Sequence, residues 1–221
     1  MPSAQARFNM IEQQIRTWEV LDPKVLELFN QVPREAFVTE AYAGLAFADI
    51  EIPIGHGQTM LAPKMEGRIL QALEIKKTDS VLEIGTGSGY LTALLASQAK
   101  HVVSVEIHDE ISQLARQRLA AQNLHNVTLE VGDAVHGWPQ HAPYDVIVFT
   151  GSLPLLPDLV PASLVSGGRL FAVIGEAPAM QAQLIRRITR PGASDVFKRD
   201  VLFETCLPAL INAPQPTRFQ F

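Results

Sequence analysis

Val81-Leu82-Glu83-Ile84-Gly85-Thr86-Gly87-Ser88-Gly89-Tyr90 restricts the fold of this chain more than any other stretch. An apolar run carrying one carboxylate breaks into three alternating glycines, and the helix-forming segment from Leu91 to Ala96 follows. That order predicts a buried strand, a tight turn and a helix N-terminus. Glycine is needed in such a turn where a Cβ would collide with a neighbour or force an unfavourable φ. A loop that cradles a pyrophosphate reads G-x-G-x-x-G, whereas here the spacing is G-x-G-x-G and Tyr90 stands where the last glycine would be. Glu83 lies just before the turn, where its charge opposes a pyrophosphate and attracts an ammonium.

Four further apolar runs follow at the spacing of an α/β protein. His101–Glu106 ends on an acid roughly 20 residues past the turn, the separation at which a carboxylate meets ribose hydroxyls. An ionised carboxylate accepts two such donors well. Val127–Ala134 ends in Gly132-Asp133, Tyr144–Gly151 is a fourth strand and Gly167–Gly175 a fifth. Helical segments alternate with them at Leu91–Gln98, Asp109–Gln122 and around Pro157–Leu164. Alternation of this kind predicts a mostly parallel sheet covered on both faces. After Gly175 the pattern changes, and Gln183–Thr189 with Asp195–Glu204 predicts an antiparallel hairpin at the sheet edge.

Upstream, Met10, Ile11, Ile15 and Trp18 recur at helical spacing, and Asp22-Pro23 reads as the cap and first residue of a second helix carrying Val25, Leu26, Leu28 and Phe29. A third helical stretch begins at Arg34. Ile52 to Met65 holds two glycines and two prolines and reads as a loop, with a helix restarting from Met65 to Leu73. The expected organisation is one domain of residues 1–221: a helical cap (1–50), a substrate and cofactor loop (51–65), a core (66–204) and a tail (205–221). Loops next to a ligand-binding core commonly carry specificity.

A formal net charge of -5 argues against nucleic acid as a partner, because phosphate neutralisation needs clustered Lys and Arg. Arg186, Arg187 and Arg190 read instead as a solvated sheet edge. No apolar run is long enough to span a bilayer and Met1–Trp18 has no signal-peptide core, so a cytoplasmic protein with no membrane partner is expected. One cysteine, Cys206, excludes an intramolecular disulfide and reads as a small buried hydrophobe. Scattered histidines such as His136 and His141 lack the spacing of a metal pair, and no metal is expected. Trp138 and Tyr144 read as packing residues, and no Ser/His/Asp constellation is recognisable around Ser88 or Ser152.

The glycine turn resembles the cofactor loop of Rossmann-like S-adenosyl-L-methionine (SAM) methyltransferases. With Val32-Pro33-Arg34-Glu35-Ala36-Phe37-Val38, Ile52-Pro53-Ile54-Gly55-His56-Gly57-Gln58-Thr59, Gly132-Asp133, Gly137-Trp138, Ala142-Pro143-Tyr144-Asp145 and Gly167-Gly168-Arg169-Leu170, the chain resembles the protein-L-isoaspartate O-methyltransferases up to about Glu204. The resemblance implies a Rossmann-like SAM methyltransferase fold and methyl transfer from SAM to the carboxylate of isoaspartyl residues in damaged proteins or peptides, leaving S-adenosyl-L-homocysteine. Glu83, Gly85, Thr86, Gly87, Ser88, Gly89, Glu106, Ile107, Asp133 and Ala134 are the expected cofactor-binding residues, with Asp133 where related enzymes hold the adenine. His56, Gln58, Thr59, Met60, Leu61 and Lys64 form the expected substrate loop. The family's loop serine, assigned to its active site, corresponds here to Leu61, which has no hydrogen-bonding group. Thr59 is the remaining candidate for orienting the acceptor, and Lys64 is either a charge attracting it or a solvated lysine. A different methyl acceptor, or a SAM-binding protein without catalysis, are the alternatives that Leu61 leaves open.

Overall fold

The computed structural model describes residues 2–189 and 194–217; Arg190, Phe219 and Phe221 lie outside them. Seven strands form one sheet in the order β5-β4-β3-β6-β7-β8-β9. They are β3 (Ser80–Ile84), β4 (His101–Glu106), β5 (Val127–Val131), β6 (Tyr144–Leu153), β7 (Leu164–Glu176), β8 (Ala179–Ile188) and β9 (Val196–Thr205). The first five are parallel to their neighbours, and β8 and β9 join antiparallel. The chain winds outward from β3 through β4 to β5, then reverses to β6 and β7, which puts the topological switch point between β3 and its neighbours. This is the expected mostly parallel α/β sheet with an antiparallel edge.

Two apolar layers sandwich the sheet because successive strand side chains face opposite ways. Val81 packs on one face with Phe29, Phe37, Ile69 and Leu94, whereas Leu82 and Ile84 pack on the other with Val103, Phe149 and Leu170. Helices α4 (Tyr90–Ala96) and α5 (Asp109–Ala121) cover the strands, and the cap is applied to the first face. In the cap, α1 (Pro2–Asn9) widens into a π-helical turn over Met10–Ile15 and tightens to 3-10 over Arg16–Trp18. In the wider turn Met10, Ile11 and Ile15 are all buried, on a narrower arc than a 3.6-residue period would give them. Trp18 is left 42% exposed, outside the apolar stripe assigned to it. Asp22 caps α2 (Pro23–Gln31), accepting from the Lys24 N–H at 2.8 Å, as expected.

Four expectations need correction. Ile52 to Met60 is not an irregular loop but a hairpin of β1 (Ile52–Gly55) and β2 (Gln58–Met60), with Ile52 and Ile54 buried and Pro53 exposed between them. Gly55, His56 and Gly57 all take positive φ and make the turn, while Pro53, which has no N–H to donate, is tolerable in a strand with a free edge. Helix α3 (Pro63–Leu73) starts two residues earlier than the apolar spacing suggested, because Pro63 suits a first helical position. Arg186 and Arg187 lie on β8, which β9 covers. Arg186 pairs with Asp200, and Arg187 engages Asp195 and the Ala162 carbonyl. Cys206 is exposed, and Leu207 beside it is the buried residue instead. Trp138 and Tyr144 do pack: the Tyr144 hydroxyl donates to the Trp138 carbonyl, and the Trp138 indole N–H to Glu130. Among the described residues no helix is long and apolar enough to cross a membrane.

Candidate active site

A cavity enclosing about 740 Å³, open to solvent, lies at the carboxyl ends of β3, β4, β5 and β6, where ligands bind in open α/β sheets. Its floor is the glycine turn. Gly85 has φ +97°, and a Cβ there would stand 2.2 Å from Thr150 Oγ1, whose hydroxyl lies within hydrogen-bond reach of the Ile84 and Gly85 carbonyls. Only glycine satisfies both constraints, so the backbone itself forms the surface. Gly87 also lines the cavity, and its N–H donates to Glu106 Oε2 at 2.9 Å. The other oxygen, Oε1, accepts from the His108 N–H at 3.1 Å. Glu106 is thereby fixed at the tip of β4 with Ile107 beside it in the cavity wall.

Asp133 and Ala134 form the next section of wall. Asp133 Oδ1 accepts from the Val135 N–H at 3.1 Å and Oδ2 from Asn212 Nδ2 at 2.8 Å. The outer wall is residues 208–211, pinned by Ser152: its N–H donates to the Pro208 carbonyl, its carbonyl accepts from the Leu210 N–H, and its hydroxyl donates to the Leu207 carbonyl. On the hairpin side, Gln58, Thr59 and Leu61 complete the cavity. A smaller cavity of about 300 Å³ continues between the hairpin and the turn, lined by Met60, Thr86 and Ser88 together with Glu66.

Four expected site residues line neither cavity. Glu83 is fully buried behind the turn, where Thr92 and Ser104 donate their hydroxyls to its Oε2. Loss of water outweighs those donors and pushes its pKa up to about 8. Its expected contact with a ligand ammonium is therefore not how the side chain is placed. Gly89 faces α5, where a Cβ would meet Ala115 Cβ at 3.2 Å; it permits close helix packing. His56, at the hairpin tip, contacts Glu110 and stacks on His108 with ring centroids 4.5 Å apart. Lys64 pairs with Asp49 at 2.8 Å and sits over the Trp18 ring, so it is neither a free charge for an acceptor nor a solvated lysine.

Sequence reasoning missed Arg34 and Glu66. Both are buried, and Arg34 uses all three guanidinium nitrogens: Nε donates to the Ala46 carbonyl at 2.9 Å, one terminal nitrogen to Glu66 Oε2 and the other to the Leu61 carbonyl at 2.6 Å. The guanidinium also lies 5.0 Å from the Tyr90 ring centroid. Cap, hairpin exit and α3 are thus bolted together beside the smaller cavity. Burial pushes Glu66 up to about 8, against the pull of Arg34. The signal was present: Glu66 falls on the apolar face of α3 with Ile69, Leu70 and Leu73, where an acid requires a cationic partner. Residues 208–211 and Asn212 carried no periodicity to mark them.

Charge decides what this cavity can hold. Among the described residues Glu106, Asp133 and Glu66 line the two cavities, and no lysine, arginine or histidine does. Such walls repel a dinucleotide's pyrophosphate and attract a cationic nucleoside. The family profile described as Protein-L-isoaspartate(D-aspartate) O-methyltransferase (PCMT) matches residues 5–206. This chain belongs to that family. It is 42% identical over 186 residues to Protein-L-isoaspartate O-methyltransferase 2 of Pelobacter propionicus, covering 84% of this chain and 82% of that one. Against Protein-L-isoaspartate O-methyltransferase 1 of Rhodopseudomonas palustris it is also 42% identical, covering 87% and 78%. A solved protein-L-isoaspartate O-methyltransferase superposes with a TM-score of 0.78 at 26% identity, over 92% of this chain and 65% of that one. A Plasmodium falciparum protein described as a beta-aspartate methyltransferase, solved with S-adenosyl-L-homocysteine, shares the fold at a TM-score of 0.72 and 20% identity, over 91% and 96%. Family membership fixes the class of chemistry as SAM-dependent O-methyl transfer.

Proposed function

We propose that this chain methylates the α-carboxylate of L-isoaspartyl residues in proteins or peptides, with SAM held in the larger cavity. The observation that carries this reading is a glycine-floored cavity at the switch point whose ionisable wall groups are all acidic. When bound, the donor supplies a methyl group on a positively charged sulfur. Glu106 accepts the ribose hydroxyls with lone pairs not used by Gly87 and His108. Asp133, held by Val135 and Asn212, accepts from the adenine amino group beside Ala134. Gly85 and Gly87 let the backbone approach closely, and Thr86 and Ser88 flank the smaller cavity.

The acceptor needs little chemistry from the protein. A carboxylate of pKa about 4 is ionised at neutral pH, so no general base is required. Opposite charges cancel as oxygen attacks the methyl carbon, so a cation clamped on the acceptor would favour the ground state over the transition state. A lining without Lys, Arg or His fits that requirement. What remains is alignment of oxygen, carbon and sulfur, which supplies about 7–11 kcal/mol when well made. Thr59 donates its hydroxyl proton to Glu51 at 3.0 Å, so toward the cavity it offers lone pairs. Its partner is then a peptide N–H of the acceptor rather than the carboxylate. Leu61, in the place of the family serine, gives the acceptor side an apolar wall, and this favours a second reading in which the acceptor differs.

Radiolabelled methyl transfer to an isoaspartyl peptide and its aspartyl counterpart tests the assignment. Label in the first alone is expected. No label in either, with S-adenosyl-L-homocysteine still binding by calorimetry, removes the isoaspartyl reading. Leu61→Ser is expected to raise isoaspartyl turnover severalfold where the missing hydroxyl limits it; unchanged turnover places the limit elsewhere.

A further inference from the structure

The smaller cavity shares Thr59, Leu61, Gly85, Gly87 and Thr150 with the larger one and extends it past the glycine turn. Among the described residues its one ionisable lining side chain is Glu66. That carboxylate is 1% exposed, Arg34 reaches its Oε2, and no described residue donates to Oε1. A carboxylate offers about four acceptor sites, so the Arg34 bond leaves Glu66 able to accept from a ligand in the cavity it lines. Glu83, the acid nearest the turn in sequence, is sealed from both cavities. Gly85 and Gly87, which line both cavities, lead from Glu106 and Asp133 in the larger to Glu66 in the smaller.

We propose that Glu66 receives the α-ammonium of the methionine portion of the methyl donor, a role resting on the cofactor reading above. Arg34 on one oxygen fixes the carboxyl in place and pulls against the burial that raises it, and the ligand ammonium takes the other oxygen, favouring the charged form when bound. The same charge repels the acceptor's carboxylate from this cavity, so the acceptor enters from the hairpin side by Gln58 and Thr59. Arg34 and Glu66 then do two things at once: they hold the Leu61 carbonyl, and they give the donor's two ends separate anionic anchors.

Calorimetry with two ligands tests the assignment without turnover. S-adenosyl-L-homocysteine carries the ammonium, and 5′-methylthioadenosine keeps the adenosine and sulfur but lacks the amino-acid portion. Glu66→Gln retains an oxygen for Arg34 and removes the charge. It is expected to weaken S-adenosyl-L-homocysteine by about tenfold, the scale of a charge-assisted hydrogen bond, and to leave 5′-methylthioadenosine within twofold. Equal losses for both ligands would make Glu66 a structural partner of Arg34 only, and overturn the proposal. Should Glu66→Gln not melt cooperatively, the wild type is titrated with the S-adenosyl-L-homocysteine analogue bearing hydrogen in place of the ammonium. Tenfold weaker binding supports the assignment, and equal binding overturns it. Failure of both nucleosides to bind the wild type overturns the cofactor reading itself, and this one with it.

Discussion

The two walls of the cavity are built on different principles. At the strand ends each acid takes one bond from its own turn, Glu106 and Asp133 each accepting from the N–H two residues on, and one from elsewhere in the chain, from Gly87 and Asn212. On the hairpin side the decisive contacts cross long stretches of chain, with Arg34 reaching Leu61 and Glu66 over 27 and 32 residues. The first wall thus has a part that short motifs specify, the turns after β4 and β5, and a part that they do not, the bonds from Gly87 and Asn212. The second depends on cap, hairpin and α3 arriving together. Ligand-binding chemistry that every member of a methyl-transfer family needs can therefore sit partly on local geometry, while the acceptor side is set by tertiary packing.

Breaking the long-range wall has the largest expected effect. Arg34→Met leaves Glu66 and the Ala46 and Leu61 carbonyls without their buried donor, which costs about 3–5 kcal/mol. The melting temperature is expected to fall by about 10 °C. Arg34→Met combined with Glu66→Leu removes both charges, and recovery of half or more of that loss is expected in urea denaturation. A single variant that melts within 2 °C of wild type, on the scale of roughly 2–4 °C per kcal/mol, would show that the hairpin wall is held by something other than this pair.

The same division accounts for what could be read from the sequence. The strand positions, the glycine turn and Glu106 follow from apolar runs and fixed offsets, and Gly132-Asp133 closes one such run; they reappear within a few residues of the expected boundaries, whereas the order of the strands in the sheet does not follow from spacing. Glu83 shows where a motif misleads. Its position before the turn is right, yet strand alternation does not say that Thr92 and Ser104 enclose it. Gly89 likewise belongs to the glycine motif and serves packing against Ala115. Arg34 and Lys64 were readable as residues but not as contacts, because their partners, Glu66 and Asp49, lie on separate elements. The 208–211 wall is fixed through Ser152 on β6, a relation that no spacing within the segment encodes.

Glu83 gives the next largest effect, and a pH dependence. Burial raises it from 4.5 to about 8, so the folded protein keeps a proton that the unfolded chain releases between those values. Its contribution to stability is full below about pH 4.5 and is lost progressively as pH rises to about 8. Glu83→Gln cannot titrate. The stability of wild type relative to this variant is expected to decline by on the order of 4 kcal/mol between pH 5 and 8.5, measured by chemical denaturation across that range. Glu66 is raised in the same direction and is present in both proteins, and its charge is one of the influences that raise Glu83, so the difference reports Glu83 as it titrates beside Glu66. A difference that does not change with pH would mean that the two hydroxyls keep Glu83 ionised throughout.

Glu106→Ala acts on the local wall, and its smaller effect falls on affinity more than on folding. Each Glu106 oxygen already accepts one backbone N–H, from Gly87 at 2.9 Å and His108 at 3.1 Å, so the substitution removes the anchor of the turn as well as the ribose acceptor. S-adenosyl-L-homocysteine binding is expected to weaken by about tenfold, or about 1.4 kcal/mol, in titration calorimetry. Because Glu106 lines only the larger cavity, 5′-methylthioadenosine should lose as much, the opposite of the selectivity expected from Glu66→Gln. Glu106→Gln sharpens the point: it preserves one oxygen for the backbone and lowers the negative charge, so a loss midway between wild type and Glu106→Ala is expected. If Glu106→Ala spared 5′-methylthioadenosine while weakening S-adenosyl-L-homocysteine, the two ends of the donor would lie the other way round in the cavity, and the adenosine would have to be placed against the hairpin wall instead.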